Sequence, residues 1–321
     1  MSSLFSILNE DLIVATIRLS TPITLAAVGA TICGRAGIVN IAMEGLMIVG
    51  AFFAALFAYR TGSPWVGLMA GVVFGGVFSL LHAFATVTLH LDHVVSGAVL
   101  NILAFGVTRY LLVLTFGHPG TSEPIPVSLA EFQLEIPLLS DIPVLGRALF
   151  AQTPIVTMSF LVVALFAFLL FRSKTGLHLR AAGEHPLALE TLGVSVYKMR
   201  YGGILISGLT SGMAGAYLAI ENSVAFTEGM TGGRGFIALA ANISGGWNPI
   251  GSFLASLFFG FADALQYRMQ IIRVLAVPSE VFIMFPYIAT VIAVAGLVRR
   301  SRPPKAVGMD FMIEAEGDWR G

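Results

Sequence analysis

The sequence predicts an all-α, polytopic membrane protein with about 8–9 transmembrane helices, including a broken or re-entrant pair. Composition is the first reason. Hydrophobic residues make up 56% of the 321 and charged residues only 11%, where a soluble domain carries roughly a quarter. The second is patterning, because apolar stretches near the ~20 residues that cross a bilayer core recur along the chain. The third is charge. Lys+Arg and Asp+Glu balance at 18 each, and Lys occurs only at Lys174, Lys198 and Lys305. A soluble enzyme, a disordered scaffold and a basic nucleic-acid binder are excluded by these values. The single cysteine, Cys33, rules out an intramolecular disulfide and a Cys-based zinc site.

In chain order the spans fall at 12–33, 36–58, 65–89, 94–116, 154–171, 203–221 and 280–298. Residues 1–11 contain no Lys or Arg for a basic leader region, so the first span is expected to act as its own insertion signal. Between 221 and 280 lies 235–266, apolar but interrupted by Gly245-Gly246-Trp247-Asn248-Pro249. Each half is short for a full crossing, and such a break is tolerated at bilayer depth only beside protein or water. The whole of 1–321 reads as one transmembrane domain, with loops at 117–153 and 172–202 and a tail at 299–321. Gly34-Arg35 and Gly233-Arg234 hint at an inverted repeat, although a chance match explains two dipeptides better.

Orientation follows from Lys and Arg placement. The 172–202 loop holds Arg172, Lys174, Arg180, Lys198 and Arg200; the tail holds Arg299, Arg300, Arg302, Lys305 and Arg320. Both are expected in the cytoplasm, with the acidic N-terminus (Glu10, Asp11) and the 117–153 loop outside. Parity then requires 235–247 and 250–266 to go in and come back. The proline-punctuated 117–153 loop (Pro124, Pro126, Pro137, Pro143) is expected to form an ordered external cap.

The 172–202 loop contains a short helix. Pro186 suits a first helical turn, Gly193 a C-terminal cap, and Ser195 the N-cap of the next helix. A helix this short is marginal alone, so Leu187, Leu189 and Leu192 are expected to pack on something. From the residues alone, that is either a partner or the chain's own membrane domain.

Ala182-Gly183-Glu184-His185-Pro186, followed by Leu192-Gly193-Val194, resembles the coupling segment of bacterial ABC importer permeases for simple sugars and nucleosides. Gly34-Arg35-Ala36-Gly37-Ile38-Val39-Asn40-Ile41-Ala42-Met43-Glu44-Gly45 is similar to a second signature of that family. Gly233-Arg234-Gly235-Phe236 with Asn242-Ile243-Ser244-Gly245-Gly246 is similar to a third. Val94-Val95-Ser96-Gly97 and the Asn40–Gly45 form are closest to the purine-nucleoside branch. The chain departs from the family pattern at His185, usually Asn, and at Ala42, often Gly.

The resemblance implies a permease subunit in a bacterial inner membrane, forming the path for a nucleoside or simple sugar delivered by an extracytoplasmic binding protein. It implies a second permease chain, a paralogue or a copy, and a separate ATP-binding cassette subunit that holds ATP and Mg. No cofactor is expected in this chain itself, and no lysine lies in a Gly-rich phosphate loop. ATPase coupling would fall to Glu184, His185, Pro186, Leu187, Leu189, Leu192 and Gly193.

Polar residues at bilayer depth are candidates for the path, since a charge at a helix centre costs on the order of 2.5–3.5 kcal/mol. Glu44 and Asn40, one turn apart in the 36–58 span, are either a pore-lining pair or a packing hydrogen bond. Arg18 and Arg109 are possible charge partners for Glu44. Asn101, Asn242 and Ser244 supply further polar groups, and Phe105, Phe236 and Trp247 an aromatic wall; ordinary packing is the alternative for each. His90, Asp92 and His93 read as a solvated turn rather than a metal site. Asp263, Gln266 and Glu221 are expected at outer helix ends. An ion-coupled secondary transporter is the competing function, with Glu44 its one well-placed carboxylate. A membrane enzyme finds no clustered catalytic groups.

Overall fold

The computed structural model describes residues 10–135, 150–272 and 302–311, with single helical positions at 146, 284, 288 and 291. The architecture is helical, with one two-residue β-pair. Seven helices among the described residues are long and apolar enough to cross a bilayer. The 280–298 span falls largely outside the described residues.

α1 (Glu10–Arg35) is the axis of the bundle. It starts with Glu10 and Asp11 and ends with Arg35, matching its macrodipole. Every residue from Ser20 to Gly34 is buried, as expected of a helix surrounded by others. α2 (Met43–Thr61) ends on Gly62 in the left-handed conformation, φ 68°. α3 (Pro64–Ala83) opens on a proline and runs into a π-turn at Phe84–Thr88. Asp92 starts α4 (His93–Phe116) by accepting from the N–H groups of Val94 and Val95, both at 2.9 Å.

α5 (Pro154–Arg172) is followed by α6 (Lys174–Glu184), capped by the Ser173 hydroxyl, and by α7 (Pro186–Thr191). α8 (Val196–Ala216) continues as a π-turn, Tyr217–Asn222. α9 (Arg234–Ser244) is short, whereas α10 (Pro249–Ile272) is 24 residues long.

Three expectations change here. The second span begins at Met43, not residue 36, because 36–42 is a turn followed by an irregular segment. The broken pair is asymmetric: α9 is a half-crossing, but α10 is of full-crossing length, about 36 Å at 1.5 Å per residue. Gly34-Arg35 closes α1 while Gly233-Arg234 opens α9, so the two dipeptides occupy opposite helix ends.

α2, α3 and α8 meet along a glycine seam. Gly50 and Gly75 both face Gly212, and a Cβ on Gly212 would collide with the Gly71 carbonyl. Close approach of this kind is how membrane helices gain packing without a hydrophobic driving force. Gly212→Leu is therefore expected to destroy the folded, monodisperse protein on size-exclusion chromatography. Gly106→Leu, on an open face of α4, should leave the elution profile unchanged.

The two ends of the bundle differ. One carries a cap, where Ser122 N–H donates to Phe226 O at 2.8 Å and Ile125 N–H to Val224 O at 2.9 Å. Short strands β1 (Leu134–Glu135) and β2 (Ala151–Gln152) pair antiparallel there. The opposite end holds the α6–α7 elbow, the 36–42 segment and residues 302–311. Those last residues lie across the elbow: Ala306 N–H donates to Gly183 O at 2.8 Å and Gly308 N–H to Gly37 O at 3.0 Å.

Candidate functional site

Charged groups inside this bundle serve chiefly to hold helix ends. Glu44 lies in the first turn of α2, not eight residues into a span, and is 3% exposed. Its carboxylate accepts from Thr231 Oγ1 (2.6 Å), Gly233 N–H (2.8 Å) and Gly235 N–H (2.7 Å). Gly233 is the N-cap of α9, at φ 83°, so a carboxylate on α2 caps a helix almost two hundred residues later. Free N–H groups and the positive dipole end make this a favourable place for an anion. Glu221 repeats the arrangement. It accepts from Thr153 Oγ1 at 2.7 Å and from Ile155 N–H at 2.8 Å, capping α5 from the π-turn.

Asn40 and Glu44 do not share a helical face. Asn40 sits in the 36–42 segment, donates to Ser207 Oγ at 2.9 Å and accepts from Ala42 N–H at 3.0 Å. Asn101 accepts from Gly45 N–H at 2.7 Å and donates to Ile41 O at 3.0 Å. The two asparagines satisfy the backbone of a largely buried non-helical segment, where unpaired groups are costly. Asn242 is fully buried and accepts from Thr31 Oγ1 at 2.9 Å, with Ser252 Oγ 2.8 Å from the same hydroxyl. Ser244 lines an apolar groove with Gly245, Gly251, Leu254 and Phe258. Phe236 is 49% exposed and Phe105 37%. Arg18 donates to Gln152 Oε1 at 3.2 Å, and Arg109 lies 3.8 Å from Glu228. Neither is bonded to Glu44.

Trp247 joins the helix pair to the elbow. It adopts φ 57°, and its ring fills the space that a Cβ on Gly34 would need. Its carbonyl accepts from Arg35 Nε at 2.7 Å, while Arg35 Nη1 lies 3.8 Å from Glu184 Oε1 at the end of α6. Arg35 thus bridges the α9–α10 turn to the elbow. No local signal in the sequence marks this bridging role.

The elbow differs from a single short helix. His185 is the joint between α6 and α7, with φ −145°, and Pro186 opens α7. Gly193, at φ 77°, closes it. Leu187 is 40% exposed and Leu192 79%, but Leu189 is only 2% exposed, packed with Ala182, Val196 and Phe311. Leu189 thus packs on the chain itself, one of the two alternatives open from the sequence, while Leu187 and Leu192 stay outward, because α7 lies on α8 and residues 302–311. Glu190 accepts from Val196 N–H at 2.8 Å, tying α7 to the start of α8. Arg200, counted by sequence as a loop charge, is 2% exposed, with its guanidinium 5.8 Å from the Phe311 ring centroid.

His90, Asp92 and His93 have separate tasks. His90 pairs with Asp310 at 2.6 Å, Asp92 caps α4, and His93 Nδ1 accepts from Val39 N–H at 3.3 Å. His93 is buried rather than solvated. Among the described residues no group of His, Cys, Asp and Glu is placed to hold a metal ion.

Residues 12–294 match the family described as branched-chain amino acid transport system / permease component. The chain is 40% identical to the guanosine ABC transporter permease protein NupQ of Bacillus subtilis, over 93% of this chain and 95% of that protein. It is 39% identical to the nucleoside ABC transporter permease protein NupC of Lactococcus lactis, over 91% and 94%. It is 36% identical to the putative glucose ABC transporter permease protein TsgC13 of Haloferax volcanii, over 80% and 77%. No solved structure matches.

Proposed function

Because the chain belongs to the branched-chain amino acid transport system / permease component family, as a multi-pass plasma-membrane permease subunit of an ABC importer, we propose that its solute is a nucleoside. The observation that carries the choice is end-to-end similarity to two permeases named for nucleosides or guanosine. An extracytoplasmic binding protein delivers the nucleoside to the cap end, and a second permease, a paralogue or a copy, completes the path. ATP and Mg are held by a separate cytoplasmic ATPase, since the family's permease subunits are not enzymes.

The elbow end faces the cytoplasm in this reading, and the acidic start of α1 and the 117–133 cap lie outside. The exposed Leu187 and Leu192 seat in the ATPase, with Glu184 to Gly193 forming the contact segment. Movement of that segment reaches the α9–α10 turn through Glu184, Arg35 and Trp247, a rigid-body shift of packed helices. Glu44, which an ion-coupled carrier would need as a ligand, is instead engaged in capping α9.

The test of the solute is uptake of a radiolabelled nucleoside by cells producing the complete transporter. Excess unlabelled nucleoside should suppress the signal, whereas glucose and branched-chain amino acids should not. Suppression by glucose with none by nucleosides would transfer the assignment to a sugar.

A further inference from the structure

Residues 304–311 form consecutive turns packed on the elbow. Val307 N–H donates to Pro304 O at 3.1 Å and Met309 N–H to Ala306 O at 3.2 Å, with Gly308 at φ 77°. Pro304, Ala306 and Phe311 are buried. Within three residues the backbone donates to both neighbours, from Ala306 to Gly183 O of α6 and from Gly308 to Gly37 O of the 36–42 segment. The junction is tight at Gly37. A Cβ there would lie 3.3 Å from Ala306 O, 3.3 Å from Arg200 Nη2 of α8 and 3.5 Å from Ala182 O of α6.

Side chains anchor the same stretch at both ends. Lys305 N–H donates to Glu184 Oε2 at 3.4 Å, on the carboxylate whose other oxygen lies 3.8 Å from Arg35. Asp310 Oδ1 lies 2.6 Å from His90 Nδ1, in the turn before α4. Phe311 is 6% exposed and packs with Ala182, Leu189 and Val196, and its carbonyl accepts from the Tyr197 hydroxyl at 3.2 Å. Its ring also faces the Arg200 guanidinium. Arg200 Nε and Nη2 are buried with no hydrogen-bond partner, and among the described residues no ion pair includes this arginine.

Resting on the coupling reading of the elbow, we propose that residues 304–311 are a positioning strap that makes the elbow and the 36–42 segment move as one body. Neither piece is stiff alone. α7 has six residues, too few to hold a helix unaided, and 36–42 is irregular. Without the strap, a push on Leu187 and Leu192 is spent in local bending. With it, the push reaches Gly37, then the first turn of α2, where Glu44 caps α9. This is a second rigid-body route beside the one through Arg35 and Trp247. The strap backs the elbow and does not mask it, because Leu189 faces Phe311 while Leu187 and Leu192 stay exposed.

The test is the number of ATP molecules hydrolysed per inosine imported by the complete transporter in proteoliposomes. Phe311→Ala should raise that ratio about 10-fold, because truncating a buried aromatic ring releases the strap, with the ATPase still co-purifying. A role in folding alone would lower hydrolysis and import together and leave the ratio unchanged. Cys33 is fully buried, so His90→Cys with Asp310→Cys adds two addressable thiols that a short bifunctional methanethiosulfonate should bridge. With Phe311 in place the bridged complex should go on importing; in the Phe311→Ala background the bridge should bring the ratio back down. A wild-type ratio in Phe311→Ala, thiols that do not bridge, or a bridge that stops import would overturn the strap. Leu192→Asp separates this outcome from failure of the elbow reading. Normal import by Leu192→Asp removes the elbow from coupling, whereas loss of import there beside a wild-type ratio in Phe311→Ala removes the strap alone.

Discussion

Glu44→Gln should lower the midpoint of thermal unfolding in detergent by many degrees and reduce the yield of monodisperse protein. The wild-type carboxylate accepts three hydrogen bonds in a site 3% exposed. An amide has one accepting oxygen, and its NH2 group would face the N–H donors of Gly233 or Gly235. Breaking a buried charged group's partnership costs on the order of 3–5 kcal/mol, a large part of a typical stability of roughly 5–15 kcal/mol. Space cannot relieve the conflict, because Gly235 already touches the α2 backbone at Glu44. Glu44→Asp keeps the charge and should lose less. An unfolding midpoint for Glu44→Gln equal to that of the wild type would show that this carboxylate does not hold α9 in place.

Leu192→Asp should abolish nucleoside uptake while leaving the permease folded and inserted. Leu192 is 79% exposed, and exposed substitutions change stability by no more than about 0.5 kcal/mol. In the assembled importer the same side chain is the most protruding apolar group of the elbow. Burial of a leucine is worth roughly 1.5–3 kcal/mol, and an unpaired carboxylate in its place adds a desolvation cost. Together they should weaken ATPase association on the order of 100-fold. Leu189→Asp gives the contrast: at 2% exposure it should disrupt the elbow itself and lower expression. Normal uptake and normal ATPase co-purification by Leu192→Asp would remove the elbow from the coupling interface.

Much of the fold was legible because bilayer-length apolar runs and proline or glycine boundaries are local signals. Pro64, Pro154 and Pro186 each sit in the first turn of a helix. Gly193 lies past the end of α7 with positive φ. The start of α2 was not legible, since Ala36 to Ala42 is as apolar as the helix that follows. What holds that segment open is supplied by distant residues, Ser207, Asn101 and His93. Glu44 carries the same lesson. Its cost at bilayer depth was visible, but its partners are almost two hundred residues away in a glycine turn whose local sequence does not mark it as a carboxylate's partner. Which of the three elbow leucines turns inward is not legible, because the six residues of α7 define too little periodicity to separate an inward face from an outward one. Asp263 was assigned to an outer end because the apolar run stops near residue 266, although the helix continues on a polar face.

Nucleoside accumulation in proteoliposomes tests the central claim, that a partner's nucleotide cycle drives this permease through the α6–α7 elbow. Vesicles holding both permease subunits, the ATPase and internal ATP, supplied with loaded binding protein outside, should concentrate nucleoside. Vesicles holding this chain without the ATPase should not, whatever ion gradient is imposed. Concentrative uptake by this chain alone under a proton or sodium gradient would contradict the account.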